Sequence, residues 1–400
     1  MRGPFLKALV LSGLALLMLS GCSSLLRQPY PTDQPPATFE GFGHIRYYPG
    51  EYATLGQTDL ETAYQNEPAD AYQTQPDGSV VYNYLAVSGG GSDGAFGAGL
   101  LKGWSEFGDR PKFKIVTGVS TGSLIAPLAF LGPEYDGALK EAYTTIDASH
   151  IFLVRSMLSL IWQESVTDNK PFEEMIAKYI TDDVLNKIAE EHNRGRRLYV
   201  ATTDLDREVP VIWDMGAIAS STSPDRLAMF RRVLRASASI PAFFPPVLFQ
   251  VKLDGQNRDE LHVDGGVFFQ SFFVGNTIDM KQMVALAHPD WTKPNVHRLY
   301  VIRNGRLDSQ PRTVNRSLGS ISAYSIDTML KVSGINDLYR LYVGDVGGEL
   351  ELQYIAIPHE YVPSTTEEFN QQEMVQEYEL GYRMGVGGVP WKRLPPGYRV

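Results

Sequence analysis

Residues 80–122 read VVYNYLAVSGGGSDGAFGAGLLKGWSEFGDRPKFKIVTGVSTG, and the order of apolar runs and glycines in this stretch decides the fold. Val80 to Ser88 is rich in β-formers with apolar residues in both phases, which predicts a strand buried on both faces. A glycine cluster follows, and then Phe96, Leu100, Leu101, Trp104 and Phe107 recur at the three- and four-residue spacing of a helix. Phe113 to Thr117 predicts a second strand that runs into Gly118. Strand, tight turn, helix and strand make a βαβ unit, the element of a parallel sheet.

Working outward, strands are predicted at 197–202, 208–213, 261–264, 298–303 and 353–358. Helices are predicted near 134–146, 171–192, 225–238 and 321–343, with a shorter one at 123–131 that Pro127 threatens to break. Strands alternating with helices give an α/β fold with a largely parallel central sheet covered on both faces.

Of the 400 residues, 43% are hydrophobic and 20% charged, enough for a large core. Net charge is −10, from 36 basic and 46 acidic residues, the wrong balance for neutralising many phosphates, so nucleic-acid binding is not expected. The clusters Arg194, Arg196, Arg197 and Arg231, Arg232, Arg235 read as a solvated loop and a polar helix face. One cysteine and seven histidines without helical metal-ligand spacing predict no metal centre.

Arg2 and Lys7 flank an apolar stretch from Ala8 to Leu19, too short to span a bilayer but the right length for a signal-peptide core. It ends in Leu19-Ser20-Gly21-Cys22, which resembles a bacterial lipoprotein signal. That resemblance implies cleavage before Cys22, its acylation, palmitate included, and anchoring in a bilayer. Ser23 implies the outer membrane, periplasm-facing or surface-exposed. From Leu25 to about Gly78 the chain is rich in Pro, Gln, Thr and Tyr without sustained period, which reads as a tether, or as an arm if its tyrosines pack.

Two stretches match Gly-x-Ser-x-Gly, a pattern that sets a serine on a strand-to-helix turn with no side chains to block close approach. They are Gly90-Gly91-Ser92-Asp93-Gly94 and Gly118-Val119-Ser120-Thr121-Gly122, and both follow a predicted strand. Their neighbours separate them. Gly89, Gly90 and Gly91 present consecutive backbone N–H groups ahead of a helix, suited to holding an oxyanion. Ser120, between Gly118 and Gly122, suits the nucleophile of an elbow.

These residues resemble the patatin-like phospholipase family. The motifs that carry the resemblance are Gly89 to Gly94, Gly118 to Gly122, Ala236-Ser237-Ala238-Ser239-Ile240-Pro241 with Pro245 and Pro246, and Asp264-Gly265-Gly266, in that order. The resemblance implies a three-layer α/β/α fold and hydrolysis of phospholipid or other acyl-ester lipids without a cofactor, as phospholipase A or lysophospholipase. It implies a dyad of Ser120 and Asp264 and an oxyanion hole at Gly89, Gly90 and Gly91. The expected organisation is a signal peptide at 1–21, a lipidated tether or arm at 22–78, the hydrolase domain at 79–360 and a C-terminal extension at 361–400.

Two departures from the family pattern stand out. Asp93 occupies a turn where a cation is common, and Val267-Phe268-Phe269 follows Asp264-Gly265-Gly266 where a polar residue and proline are common. Two rival readings stay open at this point. One is a Ser-His-Asp esterase using His288, His297 or His359, and the other is a lipid-binding lipoprotein without turnover. His262, two residues from Asp264, is expected to pack. The apolar run 151–162 and Phe268, Phe269, Phe272 and Phe273 are expected in the core, with an acyl-chain wall or lid as the alternative. Asp204, Asp206 and Asp214 are expected as caps or loop groups.

Overall fold

The computed structural model describes residues 27–398, apart from 148–152, 155–166, 169, 242, 293, 310–312, 345–349 and 366. Cys22 and the signal segment lie outside the described residues, as does most of the run 151–162. In chain order the strands are β1 (Arg46–Tyr47), β2 (Gln73–Thr74), β3 (Val80–Val87), β4 (Ile115–Val119), β5 (Leu153–Val154), β6 (Thr167–Asp168), β7 (Arg197–Asp204), β8 (Val209–Asp214), β9 (Val247–Leu253), β10 (Gln256–Asp264), β11 (Asn295–Arg303) and β12 (Leu350–Ala356). β5 and β6 pair as a separate ribbon. The main sheet runs β1-β8-β7-β4-β3-β11-β12. Its centre, β7-β4-β3-β11-β12, is parallel. β8 and β1 add an antiparallel edge.

Along β3 the side chains alternate between two cores, as a strand covered on both faces requires. Leu85 and Val87 join a core built with the helices Gly94–Phe107, Thr121–Leu131 and Arg226–Ser237, whereas Tyr82, Tyr84 and Ala86 join one built with Gln57–Gln65 and Met280–Ala287. The result is the three-layer α/β/α architecture. Pro127 does not break Thr121–Leu131, which continues through it. The predicted helix at 171–192 is two, Lys170–Tyr179 and Asp182–Asn193, because Thr181 turns extended and its side chain caps the second by accepting from the Val184 N–H.

The expected tether is not free from Arg27 onward. Arg27 bridges Asp206 and Asp259, Arg46 forms a buried pair with Glu260, and Asp59 pairs with Arg197 at 2.6 Å. Tyr30, Phe39, Ile45 and Tyr48 lie in the first core. The segment after 361 is likewise no appendage. Its helix Gln371–Val386 lies against Gly94–Phe107 so closely that a Cβ at Gly99 would fall 2.0 Å from the Tyr378 carbonyl oxygen, and one at Gly381 would fall 2.1 Å from that of Phe96. Small residues four apart on each helix let the backbones approach.

Candidate active site

Register along β7 creates the site. One edge of β7 is taken by β8 over Tyr199 to Asp204. On the other, β4 pairs in parallel until Val119 stands opposite Ala201, and β10 arrives from the opposite direction until Asp264 stands opposite Thr202. The residue after Val119 and the last residue of β10 must therefore meet, although 144 positions separate them. Ser120 Oγ donates to Asp264 Oδ2 at 2.6 Å, and both residues are buried.

Ser120 has φ 54° and ψ −126°, a conformation costly for a residue with a side chain. The surroundings enforce it. Its N–H donates to Ser237 Oγ at 3.1 Å, Ser237 Oγ donates to the Ala201 carbonyl, and the Ser120 carbonyl accepts from Ser123 N–H and Oγ. A Cβ at Gly122 would lie 2.2 Å from the Val87 carbonyl oxygen, so only glycine allows the helix Thr121–Leu131 this close to β3.

Asp264 Oδ1 accepts from Gly266 N–H at 2.7 Å. Burial pushes its carboxyl up to about 7, against the hydrogen bonds from Ser120 and Gly266, which favour the charged form. No histidine touches this pair among the described residues. His262 packs against Trp213 and Phe249 and bonds Thr202 Oγ1, His288 stacks on Trp291 beside Glu67, His297 bonds Tyr84, and His359 pairs with Asp308. Asp204 and Asp214 accept from nearby backbone N–H groups, and Asp206 holds Arg27 and the Leu261 N–H.

The glycine turn differs from expectation at one position. Gly89 N–H donates to the Gln270 carbonyl at 3.0 Å and is not available to a substrate, which leaves the N–H groups of Gly90 and Gly91. Arg303 Nη1 and Ser88 Oγ donate to the Gly89 carbonyl at 2.6 and 2.7 Å. Because the peptide unit is planar and trans, fixing that carbonyl sets the Gly90 N–H on the opposite side. Asn304 closes the turn from behind, and a Cβ at Gly90 would fall 1.9 Å from its carbonyl oxygen. The turn thus has a cation after all, supplied by the end of β11 rather than by position 93.

Ser92 lies in the other Gly-x-Ser-x-Gly and donates to Glu368 Oε2 at 3.0 Å. Loss of surrounding water and the neighbouring Glu368 push Asp93 up to about 7, with Arg303 and Arg306 opposing.

Ser120, Thr121 and Gly91 stand in the wall of a cleft with about 780 Å³ of space, the open solvent at its mouth included. The rest of the wall is almost wholly apolar and includes Leu128, Leu139, Phe172, Ile176, Phe244 and Met374. The sequence marked none of these six for it. Phe172 and Ile176 carried a signal, the helical period of 171–192, but Met374 did not. Phe269, Phe272 and Phe273 belong to the second core and Phe268 is exposed, so the phenylalanines after Asp264 do not line the cleft.

The model of the patatin-like phospholipase family matches residues 85–273, from β3 through the loop after Asp264. The chain carries a patatin-like phospholipase domain. Among solved structures, VipD from Legionella pneumophila is similar at 12% identity and a TM-score of 0.39, over 79% of this chain and 69% of that one. The type III effector protein ExoU is similar at 12% identity and a TM-score of 0.20, over 80% and 55%. No curated protein matches the chain.

Proposed function

We propose that this patatin-like domain is a lipid acyl hydrolase of phospholipase A or lysophospholipase type, with Ser120 as nucleophile and Asp264 as its base. The observation that carries the reading is the 2.6 Å bond from Ser120 Oγ to Asp264 Oδ2, on a strained turn in the wall of an apolar cleft. Ser120 Oγ attacks the ester carbonyl carbon as its proton passes to Asp264. The N–H groups of Gly90 and Gly91 receive the oxyanion. Collapse expels the alcohol, which takes the proton from Asp264; a water then attacks the acyl-enzyme as it gives Asp264 a proton, and collapse releases the fatty acid while Ser120 Oγ takes that proton back from Asp264. The cleft holds the acyl chain, since apolar walls favour tails over water. Arg303 acts as a positioning residue for the Gly90 amide.

The same proposal includes the envelope. Cys22 is the site of lipidation, and the outer membrane, periplasm-facing or surface-exposed, is the place. The test is incubation of the purified protein with phospholipids, lysophospholipids and p-nitrophenyl esters, with products identified by mass. Release of free fatty acid that Ser120→Ala abolishes is the expected result. Unchanged lipid, with soluble esters also intact, would refute the enzyme and favour a lipid-binding lipoprotein.

A further inference from the structure

The helix Leu318–Val343 is body-bound at one end and exposed at the other. Gly334, Asp337, Leu338 and Leu341 are buried against the domain, and Asp337 Oδ2 accepts from the Gln270 and Ser271 N–H groups just past the Asp264 turn. Toward the N-terminus most positions are exposed, Ser322, Ser325, Asp327 and Thr328 among them, and five of the exposed side chains are large and apolar. Leu318 is 86% exposed, Met329 70%, Ile321 51%, Ile326 50% and Val332 46%. At 100° per residue these five fall within an arc of about 140°, centred roughly 140° away from the buried residues, with Ser322 and Ser325 between them. The N-terminal half of the helix thus carries an apolar stripe turned away from the side on which its C-terminal half is buried.

The N-terminal half of this helix passes near the glycine turn. Asp327, on the inward arc, lies within electrostatic reach of Asp93, Arg303 and Glu368 around the glycine turn, and Phe369, next in chain to Glu368, lines the cleft. No helix among the described residues is long and apolar enough to cross a membrane, so the stripe suits a helix lying in an interface rather than spanning one. Between Leu318 and Val332 this arc carries no charge, and the chain has a net charge of −10, so the matching surface is an uncharged or zwitterionic one.

We propose that Leu318, Ile321, Ile326, Met329 and Val332 insert into the surface of the substrate bilayer and present the cleft to it. This deepens, and rests on, the reading of the domain as a lipid hydrolase. Docking leaves hydrolysis of a dissolved ester untouched, because none of the five residues lines the cleft.

The test uses the full chain in a Cys22→Ser background, so that a thiol-reactive, polarity-sensitive dye has one attachment site. The dye is placed at Met329→Cys or, on the inward arc, at Lys331→Cys. Phosphatidylcholine vesicles should shift emission to the blue at 329 and not at 331. In parallel, Ile321→Asp combined with Met329→Asp should lower hydrolysis of vesicle phospholipid about tenfold or more and leave a soluble p-nitrophenyl ester unchanged. No shift at 329, an equal shift at both positions, or a shift that needs protein concentration but no vesicles, which would mean a second copy covers the stripe, would each overturn the proposal. A shift at 329 alone, with neither substrate hydrolysed by the parent chain, would sustain docking and refute the hydrolase reading instead.

Discussion

Gly90 to Gly94 and Gly118 to Gly122 spell the same motif after neighbouring parallel strands, β3 and β4, and each serine hydrogen-bonds a carboxylate: Ser92 to Glu368 at 3.0 Å, Ser120 to Asp264 at 2.6 Å. Their backbones differ. Ser120 itself takes the positive φ of its turn, 54°, with its Oγ facing the cleft, whereas in the helical turn Gly91–Asp93 the positive φ falls on Gly90 and Gly91, which have no side chain, and Ser92 is spared it. Their carboxylates differ too. Asp264 ends a strand whose register delivers it to Ser120, while Glu368 precedes the C-terminal helix and ties the glycine turn to it. A shared motif therefore marks two turns, and only beside one of them does a strand arrive with a carboxylate, which is the ground of the proposed dyad. The other turn offers the free N–H groups.

Replacing the two serines should separate these roles most sharply. Ser120→Ala should cut turnover by about 10³ or more, and Ser92→Ala should leave it within about threefold, both read as fatty acid released. Equal losses would dissolve the contrast. Asp264→Asn keeps the shape and removes the proton acceptor, so turnover should fall by roughly 10² or more. The sign of the pH dependence follows from the raised carboxyl. Asp264 accepts a proton only when ionised, so kcat/KM should be low in acid and rise through a midpoint near pH 7. Asp93 is also pushed up to about 7, and Asp93→Asn must leave that limb in place if Asp264 is its source. Arg303→Lys should lower kcat by about 10- to 100-fold with little change in KM, since the Gly90 amide matters only as the oxyanion forms. The smallest effect concerns stability. Ser120→Gly should be more stable than Ser120→Ala by about 1 kcal/mol, read as a higher unfolding temperature, because glycine relieves the strained φ. The same pair of changes at Ser92, on an unstrained turn, should not favour glycine.

The parallel centre of the sheet was legible because β3, β4 and the helix Gly94–Phe107 each carry a clean period. Ser120 was legible from its glycines. Asp-Gly-Gly alone reads as an ordinary turn; its place at the end of a predicted strand sets Asp264 apart from Asp204, Asp206 and Asp214, and the resemblance assigns it the role, but its pairing with Ser120 is set by a register no spacing reveals. The arm from Arg27 to Gly78 reads as a tether because most of its contacts, such as Arg46 to Glu260, are isolated ones made at long range, and the period of Leu60, Ala63 and Tyr64 in the helix Gln57–Gln65 is too short to stand out. The helix Gln371–Val386 escaped notice for a related reason. Gly381 and Gly385 acquire meaning only beside Gly99 and Gly103, and nothing in the chain announces that pairing. Arg303, at a strand end, gives no sign in sequence that it reaches the Gly89 carbonyl.

Fluorophosphonate labelling followed by peptide mass mapping tests the central claim most directly, because the adduct records which oxygen attacked. The phosphonyl group should be found on Ser120 in the unmodified chain and in Ser92→Ala. It should form more slowly in Asp264→Asn as the base is lost, and be absent from Ser120→Ala. An adduct on Ser92, or labelling of Ser120 at full rate without the Asp264 carboxylate, would contradict the account.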